Sequence, residues 1–152
     1  MEKLKYSSAL PVGLCSDHAG FITKQYVTSV LESQGVPYKD FGAYTRESSD
    51  YPDFAHQMAT AIEKGECQIG IAICSTGNGI NMTMNKHQSV RAALCWNPEI
   101  VHMSRLHNDA NVLTLPGRYV TQTDVDKMLE EFFNTEFEGG RHQRRVNKIS
   151  CI

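Results

Sequence analysis

Apolar positions along the chain fall into two alternating rhythms. Short, β-branched runs at Leu10–Cys15, Val36–Phe41, Ile69–Ile73, Val90–Cys95 and Val112–Leu115 read as strands. Several are apolar at successive positions, which suits strands buried on both faces of a parallel sheet. Between them the spacing becomes helical. Phe21, Ile22, Tyr26, Val30 and Leu31 mark one face of a helix from Phe21 to Gln34, and Gly35 ends it. Asp50 or Tyr51 near the cap and Pro52 in the first turn open a second helix, which Gly65 stops after about Lys64. A third is expected over Ile80 to Lys86. Asn97, Pro98 and Glu99 open a fourth, which reaches about Leu106 before a polar break at His107–Asn111. Thr123 and Asp124 start a fifth, to about Asn134. After a linker from Thr135 to Gly140, Arg141 to Lys148 reads as a basic helix. This alternation predicts an α/β chain: a three-layer, doubly wound Rossmann-like (flavodoxin-like) fold with a five-stranded parallel sheet, one domain over residues 1–152.

Composition narrows the function classes. At 41% apolar and 21% charged, the chain lies in the ordinary globular range. A net charge of −2 argues against a general nucleic-acid binder. No apolar run approaches the roughly 20 residues that span a bilayer. Met1 to Tyr6 is charged and lacks the apolar block of a signal peptide, so a cytoplasmic address is expected. The five cysteines (15, 67, 74, 95 and 151) form no close pair, which fits reduced thiols better than disulfides or structural zinc.

One stretch carries chemistry. Ile69–Ile73 runs into Cys74 to Gly79 (Cys-Ser-Thr-Gly-Asn-Gly) and then a helix. A strand, a glycine turn and a helix N-terminus together make an anion cradle, and its field favours the thiolate of a nearby cysteine. Cys74 would sit at the carboxyl end of a strand, where open α/β sheets place their ligands. Asp17 and His18 should share that edge. His107 lies before the fifth strand, on the opposite edge, so a second subunit would have to bring it to Cys74. The arginines of the last helix could arrive the same way. Each group has a plainer reading: a turn for Asp17 and His18, a helix C-cap for His107, a solvated face for the arginines. Cys15, Cys67 and Cys95 read as buried strand-end thiols.

Six blocks together resemble the type B ribose-5-phosphate isomerase family, which includes galactose-6-phosphate isomerase subunits. They are Ser16–Phe21, Asp50–Asp53, Cys74–Gly79, Asn85 with Lys86, Ser104–Asn111 and Glu138–Val146. The resemblance implies a metal-free, cofactor-free aldose–ketose isomerase of carbohydrate metabolism. It would interconvert ribose 5-phosphate and ribulose 5-phosphate through a cis-enediolate, in the pentose phosphate pathway. It further implies a homodimer, or dimers paired into a tetramer, with active sites at the subunit interface and the helix at about 140–149 packed on the partner. In that family pattern Cys74 is the base between C1 and C2, and His107 assists ring opening. Asp17 and Tyr51 hold sugar hydroxyls, and Asn108 lies beside the enediolate. Thr76 and the backbone of Ser75, Gly77, Asn78 and Gly79 stabilise the oxyanion. His18, Arg118, Arg141 and Arg145 surround the phosphate. One branch of the family uses a glutamate just after the Gly-x-Gly; Ile80 stands there, which places this chain with the cysteine branch. Ser75 departs from the usual glycine and leaves sugar preference open, with allose 6-phosphate or galactose 6-phosphate as the alternatives. Outside the resemblance, a flavin- or nucleotide-binding module lacks its Gly-x-Gly-x-x-Gly turn, and a thiol redox protein needs a resolving cysteine, for which only Cys15 or Cys95 could serve.

Overall fold

A computed structural model describes residues 1–152. The order is β1 (Val12–Ser16), α1 (Phe21–Ser33), β2 (Tyr38–Asp40), α2 (Tyr51–Glu63), β3 (Gly70–Cys74), α3 (Asn78–Met84), β4 (Ala92–Leu94), α4 (Pro98–Asn108), β5 (Val112–Pro116), a 3-10 turn (Gly117–Tyr119), α5 (Gln122–Asn134) and α6 (Arg141–Val146). All strand pairings are parallel, as the alternating pattern predicts.

The strand order is β2-β1-β3-β5-β4, so β5 lies between β3 and β4. Burial explains the placement. β5 is buried at every position and fits an interior strand, whereas β4 is half-buried throughout and fits an edge. Asn85 covers part of that edge: its Nδ2 donates to the Ala92 carbonyl at 2.9 Å, and its Oδ1 accepts from the Ala92 N–H at 2.8 Å.

Alternate strand residues build two cores. Val12, Leu14, Ile71, Ile73, Leu113 and Leu115 meet α1, α4 and α5 through Val27, Leu31, Val101, Val125, Met128 and Leu129. On the other face Cys15, Ala72, Cys74 and Val112 meet α2 and α3 through Ala55, Met58, Ala59, Ile80 and Met84. Gly13 and Gly70 let α2 approach the sheet here. A Cβ on either would lie within 2.8 Å of the Met58 side chain. This close approach sets the N-terminus of α2, with Tyr51, at the carboxyl edge of the sheet.

Several element ends differ from the sequence reading. β1, β2 and β4 are displaced or shortened because the apolar runs extend beyond the ladder pairing. α3 begins at Asn78, two residues before Ile80, since Gly77 takes φ +79° and caps it. α4 continues through His107 and Asn108 and closes on Asp109 at φ +48°, whose N–H donates to Ser104. The expected polar break is therefore largely the last helical turn. α5 starts at Gln122 behind a capping box: Thr121 accepts from the Asp124 N–H, and Asp124 accepts from the Thr121 N–H.

Candidate active site

The carboxyl edge of the sheet gathers one group of expected residues. Asp17, buried at the end of β1, accepts the Gly20 N–H at 3.0 Å through Oδ1. His18 is tied to Ser49 by two backbone-to-side-chain bonds. The Tyr51 ring lies over the first turn of α3: a Cβ on Gly79 would come within 2.7 Å of its hydroxyl. Cys74 pairs with Pro116 of β5, which brings the following turn alongside the thiol. The Arg118 N–H then donates to the Ser75 carbonyl at 3.1 Å. Arg118 itself is exposed.

The glycine turn is tightly specified. A Cβ on Gly77 would lie 2.4 Å from Leu94 Cδ1 and 3.3 Å from the Pro116 nitrogen. Thr76 Oγ1 accepts from the Asn78 N–H and side-chain amide, each at 3.2 Å. Burial falls quickly along the turn: Cys74 is 5% exposed, Ser75 half-buried and Thr76 open to solvent. The glycines thus leave Cys74 less open than the sequence suggests, because α2 and α3 close over its face of the sheet. Cys15 and Cys95 lie deeper, at 0% exposure. Burial pushes the Cys15 thiol well up, with the Lys24 cation acting against it, and pushes Cys95 up to about 11. Neither suits base chemistry near neutral pH.

A second group stands at the opposite edge. His107 and Asn108 end α4, and the His107 ring stacks on His142 with centroids 4.2 Å apart and planes at 14°. His107 Nε2 lies 3.8 Å from Glu138 Oε2, and His142 Nε2 lies 3.9 Å from Glu138 Oε1. Arg141 reaches the same carboxylate at 4.0 Å, and Arg145 is exposed one turn on. Burial, followed by the charges of His107 and Arg141, holds the His142 imidazole below its usual value. The linker before α6 is anchored, since the Glu138 N–H donates to the Leu106 carbonyl at 3.0 Å. The ligand atoms of His107, Glu138 and His142 lie within 4.8 Å of one another, a donor set that zinc accepts. Arg141 and Arg145 beside it oppose a cation.

One chain therefore divides the expected residues between two edges of the sheet. Asp17, His18, Tyr51, Cys74–Gly79 and Arg118 share the carboxyl edge; His107, Asn108, Arg141 and Arg145 share the other. Ser49, Glu138 and His142 had no assigned role in the sequence reading. Glu138 and His142 lie inside the quoted C-terminal block, so their presence was legible and their contacts were not. Ser49 lies in a polar loop that offered no signal.

Comparison with known proteins places this geometry. Residues 12–149 match the family model described as Ribose/Galactose Isomerase. The ribose-5-phosphate isomerase B of Escherichia coli (strain K12) is 40% identical over 136 residues, covering 90% of this chain and 91% of that protein. A Thermotoga maritima ribose 5-phosphate isomerase superposes with a TM-score of 0.92 at 38% identity, covering 95% of this chain and all of that one. The Mycoplasma genitalium ribose-5-phosphate isomerase B with bound ribulose-5-phosphate gives 0.89 at 37% identity, covering 94% and 95%. With a Cys-Ser-Thr-Gly-Asn-Gly turn at the carboxyl end of β3 and a match over nearly its whole length, the chain belongs to the ribose/galactose isomerase family.

Proposed function

We propose that this protein interconverts ribose 5-phosphate and ribulose 5-phosphate as a homodimer in the cytoplasm, within the pentose phosphate pathway. The observation that carries this reading is the thiol of Cys74 at the head of a glycine turn on the carboxyl edge of the sheet. Relatives of near-equal length bear the isomerase name, and one holds ribulose-5-phosphate.

His107 moves a proton between the ring oxygen and the hemiacetal hydroxyl, opening the furanose; imidazole suits this near neutral pH. The Cys74 thiolate then takes the proton from C2 of the aldose. The C–H electron pair forms the C1–C2 double bond, and the carbonyl π pair moves to O1, giving the enediolate. Amides of Ser75 to Gly79, with Thr76, stabilise that oxygen, and one good donor is worth about 10²–10³-fold. After a proton passes from the C2 hydroxyl to O1, the Cys74 thiol returns its proton to C1 and the ketose forms. Asp17, Tyr51 and Asn108 orient the hydroxyls. His18, Arg118, Arg141 and Arg145 hold the phosphate, where the guanidinium fork pairs two oxygens at once.

Two half-sites at opposite sheet edges require two subunits. Trp96 and Tyr119, which follow β4 and β5, and Met82 on α3 are 57–65% exposed, large apolar side chains that a partner would cover. α6, at Arg141–Val146 shorter than the expected helix, would pack on that partner and bring its arginines to the phosphate. No helix is long and apolar enough to cross a membrane.

The test is turnover of ribose 5-phosphate beside allose 6-phosphate and galactose 6-phosphate, with Cys74→Ala as control. Ribose 5-phosphate should be preferred, and the variant should lose about 10²–10⁴-fold in kcat while still binding substrate. Full activity in the variant removes Cys74 as the base. A six-carbon preference overturns the substrate assignment.

A further inference from the structure

The contacts of the loop after β2 point beyond this reading. The His18 N–H donates to Ser49 Oγ at 3.2 Å, and the Ser49 N–H donates to His18 Nδ1 at 3.1 Å. These two bonds run in opposite directions across 31 residues of sequence. A backbone N–H can donate only to a lone pair, so Nδ1 carries no proton in this arrangement. A neutral imidazole with an unprotonated Nδ1 has its hydrogen on Nε2. A proton on Nδ1 would set two donors face to face.

The loop that imposes this contact is held at its other end. Lys24, 1% exposed, donates through Nζ to Asp40 Oδ1 at 2.7 Å and to the Ala43 carbonyl. The Gly42 N–H donates to the same Asp40 oxygen at 2.8 Å, and the Ala43 N–H to the Ser16 carbonyl at 2.6 Å. Ser49 then lies two residues before Tyr51, the first residue of α2. Both ends of the segment are thus anchored to the sheet or to a helix.

We infer that Ser49 is a positioning residue that holds His18 as its Nε2–H tautomer, so that His18 gives the substrate phosphate a directed, neutral hydrogen bond. The arginines supply charge, and His18 supplies direction. This rests on the proposed place of His18 beside the phosphate.

Two measurements test it. In the free enzyme with ¹⁵N-labelled imidazoles, at about pH 8, above the ordinary histidine range, the His18 ring should show the Nε2–H pattern. Ser49→Pro, which removes the N–H, should shift it toward a tautomer mixture. An Nδ1–H or imidazolium pattern in the parent enzyme overturns the inference whatever His18 contacts. Because proline at position 49 can prevent folding, His18→Gln and His18→Asn form the second arm. The glutamine amide reaches the Nε2 position, whereas that of asparagine stops near Nδ1. His18→Gln, whose amide can still donate from that position, should raise KM less than His18→Asn does. His18→Asn should raise KM about ten- to a hundredfold with little change in kcat, the loss expected for one hydrogen bond to a charged group. An equal large rise in both variants shows that the ring must carry charge, and overturns the neutral donor. An unchanged KM in both, with the expected NMR pattern, takes His18 away from the phosphate and overturns the proposed site instead.

Discussion

Loss and recovery of activity in mixed subunits tests the two-half-site arrangement most directly. In the β3–β5 ladder Gly70 pairs with Val112 and Cys74 with Pro116. Four residue steps at about 3.3 Å each separate those ends by roughly 13 Å. His107 lies at the Val112 end, on the last turn of α4. Proton transfer needs the reacting groups within about 3 Å, so Cys74 and His107 of one chain cannot serve one substrate. Cys74→Ala and His107→Ala proteins should each retain about 10⁻² to 10⁻⁴ of parent turnover. Co-expressed in equal amounts, they pair at random. A site is then intact when its thiol comes from the His107→Ala chain and its imidazole from the Cys74→Ala chain. With a two-fold interface that holds for about one site in four. The expected activity is therefore about a quarter of the parent value, well above either variant, and the fraction is the same for dimers and for dimers paired into tetramers. Ribose 5-phosphate turnover by the purified mixture gives the answer. Activity no greater than that of the single variants refutes the argument, because sites complete within one chain would all carry a lesion.

Other substitutions probe single contacts. Gly77→Ala puts a Cβ against Leu94 and the Pro116 nitrogen at φ +79° and should cost about 1–3 kcal/mol in urea unfolding; a loss under about 0.5 kcal/mol would show that the turn relaxes freely. Arg141→Ala should raise KM for ribose 5-phosphate about tenfold or more, as loss of a charge-assisted bond to phosphate requires, and an unchanged KM would exclude it as a ligand. The Thr121 backbone N–H, and then its side chain, hold the Asp124 carboxyl below its ordinary value of 3.8. That stabilisation is present above the unfolded value and fades as pH falls through the lower folded one. Asp124→Asn should therefore lower the urea midpoint more at pH 7 than near pH 2, and equal losses at both would contradict the cap.

The alternation of apolar runs with helical spacing made the parallel, doubly wound sheet legible, because strand and helix periods are local properties. The glycine turn after Ile73 marked the same edge of the sheet, since only glycine accepts φ +79° at position 77 without strain. Strand order was different. That β5 rather than β4 neighbours β3 depends on which run finds full burial, and burial exists only once the layers pack. The modest exposure of Cys74 belongs to the same class: glycines suggest openness, yet α2 and α3 cover the thiol from elements distant in sequence. The pairing of Ser49 with His18, and the stacking of His107 on His142 beside Glu138, join side chains about 30 residues apart or on different elements. Sequence by itself determined the elements, their parallel arrangement and the chemical groups available. Tertiary structure decided which groups share an edge, because non-local contacts depend on packing and chain reversal rather than on any local period.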